Sequence, residues 1–430
     1  MNRSFDRQGR PAWEGGAAWW NFVTAGPAGL DDGFTKRKGM KSAMNEQAPV
    51  IVTPVGDARA LKTFIRAPRL LYRGLAGHVA ALDMEQRDLL HPDHGAFFKH
   101  GRAQYFLAHR GARLVGRISA QIDPVSIAHW GRKVGMFGAL DAERDPEVVA
   151  ALLDAACDWL TAQGMDLAQG PYTINPTGEF GIMIEGQGEY PMIGMPWHPP
   201  GLGDLVEAAG FSAARDLLAY QMPVGPDAER AHLLPDSLKM GQGRLGTVTT
   251  RGLDRRNLAR DAEILRQLYN DAWADSWGSA PLQSHEVVSL MRQLKPMLRP
   301  EHYVLVEIEG RPAGFALVVP NLYDIAGDLG GAPSPLGWVK LGTRILRHSF
   351  TSARVILLGV SAELRNTPLG ALLPALVIGE LMKRGRALPY RMVELGWILE
   401  TNMPMRRLIE RVAPEPCKRY RVYEKALSGR

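Results

Sequence analysis

Apolar and polar positions along this chain follow two periods, and the places where one gives way to the other mark out its elements. The run Val50-Ile-Val-Thr-Pro-Val55 reads as a strand, and Leu61, Phe64, Ile65 and Leu70 near helical spacing predict a helix over 57–72. Two apolar runs, 105–110 and 114–122, flank Gly111-Ala-Arg113 and predict a β-hairpin. A short strand at 134–140, a helix over 145–163 closed by Gly164, and a strand at 166–170 follow. After a glycine-rich loop come a short helix at 202–209 and a strand at 216–222.

The same order returns in the second half. A helix over 261–277 precedes a hairpin of 303–309 and 313–319 about the turn Gly310-Arg-Pro312. Next come the buried strand Arg354-Val-Ile-Leu-Leu-Gly-Val360, a helix that opens on the turn 361–371 and runs to about 385, and a strand at 391–399. A helix at 404–412 and a strand at 417–425 close the pattern. Each hairpin opens on a tyrosine, and Gly116 in the first is matched by Gly314 in the second. A repeat of about 200 residues signals two copies of one domain rather than a short-period solenoid. The expected domains are 49–222 and 247–427, joined by the Pro- and Asp-bearing linker 223–246. Residues 1–48, with Gly, Pro, charges and the aromatic patch Trp19-Trp20-Asn-Phe22, read as a disordered tail.

Composition narrows the classes. The 430 residues are 46% hydrophobic and 22% charged, ordinary for a globular protein with real cores. Two cysteines, Cys157 and Cys417, exclude a disulfide framework and a cysteine-based zinc site, and make the cytoplasm the default location. The net charge of +6 favours anionic partners such as coenzyme A or acidic lipid. No segment resembles a nucleic-acid module. No apolar run approaches the ~20 residues of a membrane span, which leaves peripheral contact with the inner membrane as the expected membrane relation.

The turn after the strand at 354–360 carries the first chemistry. A helix opening there points free N–H groups and its positive dipole end at whatever lies above, a seat for a pyrophosphate. Arg365, Asn366, Leu369, Gly370 and Ala371 would form it, with Pro368 removing one donor. Neither phosphate-loop nor dinucleotide glycine patterns are present. In the first half the corresponding stretch is Leu140-Asp-Ala-Glu-Arg-Asp-Pro146, whose three acids would repel pyrophosphate.

Arg365 through Ala371 resembles the coenzyme A loop of the GCN5-related N-acetyltransferase (GNAT) superfamily, and the element order of both halves is similar to that fold. Longer blocks, Gly170 to Gly186, Tyr269-Asn-Asp-Ala-Trp273 and Glu394-Leu-Gly-Trp-Ile-Leu-Glu-Thr-Asn402, resemble bacterial tandem-GNAT proteins of the ceramide synthase group. The resemblance implies an α/β (α+β) fold of two tandem GNAT-like domains, each a mixed, mostly antiparallel sheet flanked by helices. It implies acyl-CoA as donor substrate with no permanent cofactor and no metal. It also implies transfer to an amine, in that group a sphingoid base, with the C-terminal copy holding the coenzyme.

The same resemblance places thioester and pantetheine contacts at Leu358, Gly359 and Val360. It makes Glu394 the general base, Asn402 a coenzyme contact, and Tyr423 or Tyr420 the acid that replaces the superfamily's tyrosine, where Ile409 stands here. A salt-bridged structural glutamate remains the other reading of Glu394, and helix capping the other reading of Asn402. Tyr269, Trp273 and Trp277, placed on one helix, and Glu179 are the expected acceptor-side residues. Core packing also accounts for the aromatics and a solvated loop for Glu179.

His78 and Asp83 fit a His-x4-Asp pattern without its companions, and His91, His94 and His100 lie in a Pro-broken loop unsuited to a metal. Arg406, Arg407, Lys418, Arg419 and Arg421 form a basic cluster that suits a phosphate or simply a solvated strand edge. Three other functions stay open: a small-molecule acetyltransferase, a Fem-like aminoacyl transferase, and a non-catalytic acyl-CoA or lipid binder.

Overall fold

The computed structural model describes residues 48–174, 178–225, 247–365 and 367–427. The expected tail before 48, most of the expected linker (226–246) and Asn366 lie outside the described residues. The first half runs β1 (Val50–Pro54), α1 (Ala58–Leu71), α2 (Asp83–Leu90), β2 (Arg102–Arg110) and β3 (Arg113–Ile122). It continues α3 (Pro124–Trp130), β4 (Val134–Ala142), α4 (Pro146–Ala162), β5 (Leu167–Gly170), β6 (Ile182–Glu185), α5 (Leu202–Ala208) and β7 (Ser212–Pro223). The second half runs β8 (Val248–Arg251), α6 (Leu258–Ala272), α7 (Ser284–Leu294), β9 (Tyr303–Ile308) and β10 (Arg311–Pro320). It continues α8 (Tyr323–Ala326), α9 (Pro335–Leu346), β11 (Ser352–Val360), α10 (Ala362–Arg365), α11 (Pro368–Gly385), β12 (Met392–Leu399), α12 (Met403–Ile409) and β13 (Lys418–Ala426).

Local chemistry sets the boundaries. Asp57 and Asp145 cap α1 and α4 by accepting from Ala60 N and Glu147 N, with Pro146 supplying a preset first turn to α4. α4 buries Val148, Leu152, Leu153 and Leu160, each worth about 1.5–3 kcal/mol of transfer from water. The two matched glycines do one job. A Cβ on Gly116 would stand 2.7 Å from Leu152 of α4, and one on Gly314 3.2 Å from Val377 of α11. Each glycine lets its hairpin approach the helix behind it.

All thirteen strands join one sheet, ordered β1-β2-β3-β4-β5-β13-β7-β12-β11-β10-β9-β8, with β6 paired to β13. The pairs β4–β5 and β11–β12 are parallel; the remaining pairs are antiparallel. The last strand of each half lies in the other half. β7 pairs with β12, Val393 opposite Met222, and β13 pairs with β5, Tyr423 opposite Gly170. The exchange draws Lys418 and Tyr420 of β13 and Gln221 of β7 into the centre of the sheet. No helix among the described residues is long and apolar enough to cross a membrane.

Candidate active site

Each parallel pair parts partway along its length. β4 and β5 stay paired only to Met136–Gln169, and β11 and β12 only to Val355–Leu395. In the first half the chain itself enters the gap. Tyr172 N–H donates to Phe137 O at 2.8 Å, and Gln121 Nε2 donates to Tyr172 O at 2.6 Å. A Cβ on Gly138 would meet that tyrosine carbonyl at 1.7 Å, so only glycine permits the closure. α4, which follows β4, has its N-terminus occupied by the Asp145 cap, with Arg110 bridged to Asp145 and Glu147 at 2.7 and 2.8 Å.

In the second half, Gly359 of the predicted strip faces the end of α6, while Leu358 and Val360 pack on the α11 side with Leu373 and Val377. Trp273 lies over Gly359, where a Cβ would stand 2.6 Å from the indole, and stacks on Tyr269 with centroids 4.8 Å apart. Of the turn residues, Arg365 is exposed and donates to Ala272 O, while Ala362 N–H donates to Asp271 Oδ2 at 2.6 Å. Gly370 N–H donates to the Thr367 hydroxyl at 3.1 Å, and a Cβ on Gly370 would stand 1.8 Å from Leu364 O. Close approach therefore demands that glycine. Leu369 is half-buried beside it, and Ala371 continues the first turns of α11. Asn402 caps α12 by accepting from Met405 N at 3.3 Å.

Trp277 is not on the helix with Tyr269 and Trp273. α6 ends at Ala272, where Ser279 Oγ donates to Trp273 O and Ser276 O, and the left-handed Gly278 turns the chain. Trp277 instead meets the Arg215 guanidinium at 5.7 Å.

Glu394 sits at the centre of the sheet, opposite Arg354 in register and fully buried. Lys418 Nζ donates to its Oε2 at 2.6 Å and to Tyr190 O at 2.7 Å, and Gln221 Nε2 donates to the same Oε2 at 3.2 Å. Arg354 donates to Ile193 O, Gly194 O and Gly396 O and lies 4.3 Å over Trp397. Burial pulls the Arg354 pKa down to about 10 against the opposing pull of the Glu394 charge. Glu394 Oε1, Tyr420 Oη and Trp397 Nε1 are buried with no hydrogen-bond partner among the described residues. Of the two tyrosines considered as acids, Tyr420 stands in this group. Burial and the Glu394 charge hold its hydroxyl well above the usual phenol range. Tyr423 packs instead in the first half's core with Leu202, Val206 and Phe211, against Gly203.

The polar seam continues into the first half, because Glu179 acts on both Arg354 and Tyr420. Glu179 lines a cavity of about 80 Å³ with Arg117, Asp141, Trp197, His198 and, from the second half, Tyr323. Arg117 Nε donates to Asp141 at 2.7 Å and its Nη1 to Phe64 O at 2.8 Å, so that pair is self-compensated. His198 Nδ1 accepts from Met183 N–H at 3.1 Å, and burial draws its pKa down to about 4, leaving a neutral ring. Glu179 accepts from the Thr173 hydroxyl at 3.0 Å, and burial raises its pKa. Beside it, burial and then the Glu179 charge push the Glu85 carboxyl up to about 7. Neither glutamate has an ion-pair partner among the described residues, and Glu85 Oε2 is buried without any partner.

The remaining sequence features resolve into structure. His78 lines the cavity edge to face with Tyr72 and Trp197, while Asp83 is taken by Arg66 and Arg69, both at 2.9 Å. Arg406, Arg419 and Arg421 bind Glu410, Glu185, Asp216 and Glu207. Sequence reasoning missed Glu85, Arg117, Asp141, His198 and Tyr323. Glu85 lies in the polar run Asp83-Met-Glu-Gln-Arg-Asp88, which gave no signal that its carboxyl would be buried.

No family profile matches the chain. It is 36% identical over 383 residues, 88% of its length, to the bacterial ceramide synthase of Caulobacter vibrioides (strain NA1000 / CB15N), of which 98% is covered. It is 34% identical over 369 residues, 85% of its length, to Protein YghO of Escherichia coli (strain K12), 93% covered. Among solved structures, a tandem GNAT protein from the clavulanic acid biosynthesis pathway superimposes with TM-score 0.51. That match has 13% identity and covers 88% of this chain and 99% of that one, a likeness of fold alone.

Proposed function

The chain belongs to the bacterial ceramide synthase family, and from that premise we propose that it N-acylates a sphingoid base with an acyl group taken from acyl-CoA. The observation that carries the acceptor side is Glu179 in the cavity, a carboxyl of raised pKa that forms no ion pair among the described residues and lies within reach of the Glu85 carboxyl. An alkylammonium headgroup supplies that cation. Glu179 then removes one proton, and the free amine attacks the thioester carbonyl. The C–N bond forms, the C–S bond breaks, and the nitrogen gives up its second proton as the coenzyme thiolate leaves and takes up one to become the thiol. A carboxylate raised toward neutral pH suits the proton transfer better than an ordinary one. A second reading keeps Glu394 as base, favoured by its unpartnered Oε1 beside the unpartnered Tyr420 hydroxyl.

The division of labour proposed here assigns the coenzyme to the second half and the amine headgroup to the first. The positive helix end of α11 and the exposed Arg365 support the first assignment; the acids at the start of α4 oppose a coenzyme there. Arg365→Glu is expected to weaken acyl-CoA binding about tenfold to a hundredfold, the range of one charge-assisted contact. Arg144→Glu is expected to leave it unchanged. Calorimetric titration with both variants separates the two, and equal losses would remove the assignment.

A sphingoid base partitions into bilayers, so the acceptor would be met at a membrane face. The activity test uses purified protein with a sphingoid base and acetyl-, octanoyl- or palmitoyl-CoA. kcat/KM is expected to rise with chain length, since a buried methylene contributes ~0.8 kcal/mol until the site is full. Preference for acetyl-CoA with no acylated sphingoid base would leave a small-molecule acetyltransferase.

A further inference from the structure

Large apolar side chains are unevenly exposed on this molecule. Of nine such residues among those described, Leu70, Leu75 and Met84 fall in the α1–α2 segment and Leu336, Trp338, Val339 and Leu346 on α9. The fold brings these two segments together. Asp83 N–H donates to Gly331 O at 2.8 Å, and a Cβ on Gly331 would touch Ala80 and Arg69 at 3.2 Å. Arg69, Ala80 and Asp83 line the cavity. The loop that leads into α9 thus packs on the cavity's rim.

At 100° per residue, Leu336, Val339 and Leu346 share one stripe of α9, opposite the buried Leu341. These three side chains are 82%, 64% and 85% exposed, far more than a core-facing stripe would be. Lys340 and Arg347 border the stripe; Lys340 and Arg344 share the single acid Asp328, at 2.8 and 2.6 Å, while Arg347 is exposed, so three basic residues of 335–347 meet one carboxylate. A short helix with an exposed apolar stripe and basic flanks is the chemistry of interfacial membrane binding. A second copy of the chain fits less well, because a two-fold contact through α9 would bring its own basic flanks together.

We infer that α9, with the exposed apolar residues of the α1–α2 segment, docks on an anionic lipid bilayer and turns the cavity's rim toward it. Leu336, Val339 and Leu346 enter the acyl boundary while the exposed Arg347 meets lipid phosphate. Docking needs no substrate and is read separately from acylation, so either result can stand without the other.

The test is co-sedimentation of the full chain with vesicles of phosphatidylglycerol and phosphatidylethanolamine. Binding is expected, weakened by added salt, and at least tenfold lower for the triple variant Leu336→Ser/Val339→Ser/Leu346→Ser. Ile51→Ser/Met403→Ser, at exposed apolar residues outside the two segments, is expected to bind as wild type does. A thermal melt checks that the triple variant folds. Independently, brominated lipid is expected to quench tryptophan emission of the wild type, and less so of Trp338→Phe. Absence of wild-type binding, or equal binding by the triple variant, overturns the inference. So does a concentration-dependent dimer that the triple variant abolishes, which would make this face a contact between two copies.

Discussion

Glu394→Gln is expected to lower the stability of the fold by about 3–5 kcal/mol, the usual cost of removing one partner from a buried ion pair. Lys418 is 1% exposed and has Glu394 as its sole carboxylate partner among the described residues, so the substitution leaves an ammonium in the middle of the sheet without that counter-charge. The cost arises from that stranded charge rather than from the lost attraction. The double variant Glu394→Leu/Lys418→Met is therefore expected to recover much of the loss, since well-packed apolar pairs often match buried ion pairs. Chemical denaturation of the two variants checks this. If Glu394 is also the base, turnover per folded molecule of Glu394→Gln would fall as well, beyond what the lost stability accounts for.

Glu179→Gln is expected to lower kcat/KM for the sphingoid base by ~10²–10⁴, the range of a lost general base, with acyl-CoA affinity unchanged. Its neighbour gives a companion result in stability. The Glu85 pKa is raised in the folded state to about 7, so the folded protein holds a proton that the unfolded chain has released. The stabilisation from that proton is present below the ordinary carboxylate range and is lost as pH rises through about 7. Glu85→Gln is therefore expected to raise the melting temperature at pH 8 and change it little at pH 4. A uniform shift at both pH values would show that Glu85 does not carry the raised pKa.

Much of the architecture could be read along the chain because it depends on neighbours in sequence. Both hairpins, the helices capped by Asp57, Asp145 and Asn402, and the matched glycines Gly116 and Gly314 follow from periodicity and from local steric demand. The GNAT-like order of elements was legible for the same reason. α9 was passed over although Ser334 and Pro335 signal its start, because its stripe faces outward and the pattern was read for core-facing faces. The helix holding Tyr269 and Trp273 was drawn too long, because the turn that ends it depends on Ser279 reaching back to Trp273.

Which strand edge meets which is decided by backbone hydrogen bonds, and these carry no signature in side-chain pattern. The crossing of β7 and β13 between the halves is therefore visible only in three dimensions, and with it the pairing of Glu394 with Lys418 and the placing of Tyr420 rather than Tyr423 beside it. The cavity has the same origin. Glu85, Glu179 and Tyr323 are separated by long stretches of chain; burial raises all three pKa values, with the Glu179 charge adding to Glu85, Asp141 to Glu179 and both glutamates to Tyr323, and none of this is carried by a residue alone. Sequence by itself determined the elements, their repetition and the kind of chemistry they resemble. Tertiary structure decided which charges meet out of water, because desolvation and Coulomb terms depend on distances that only the closed sheet establishes.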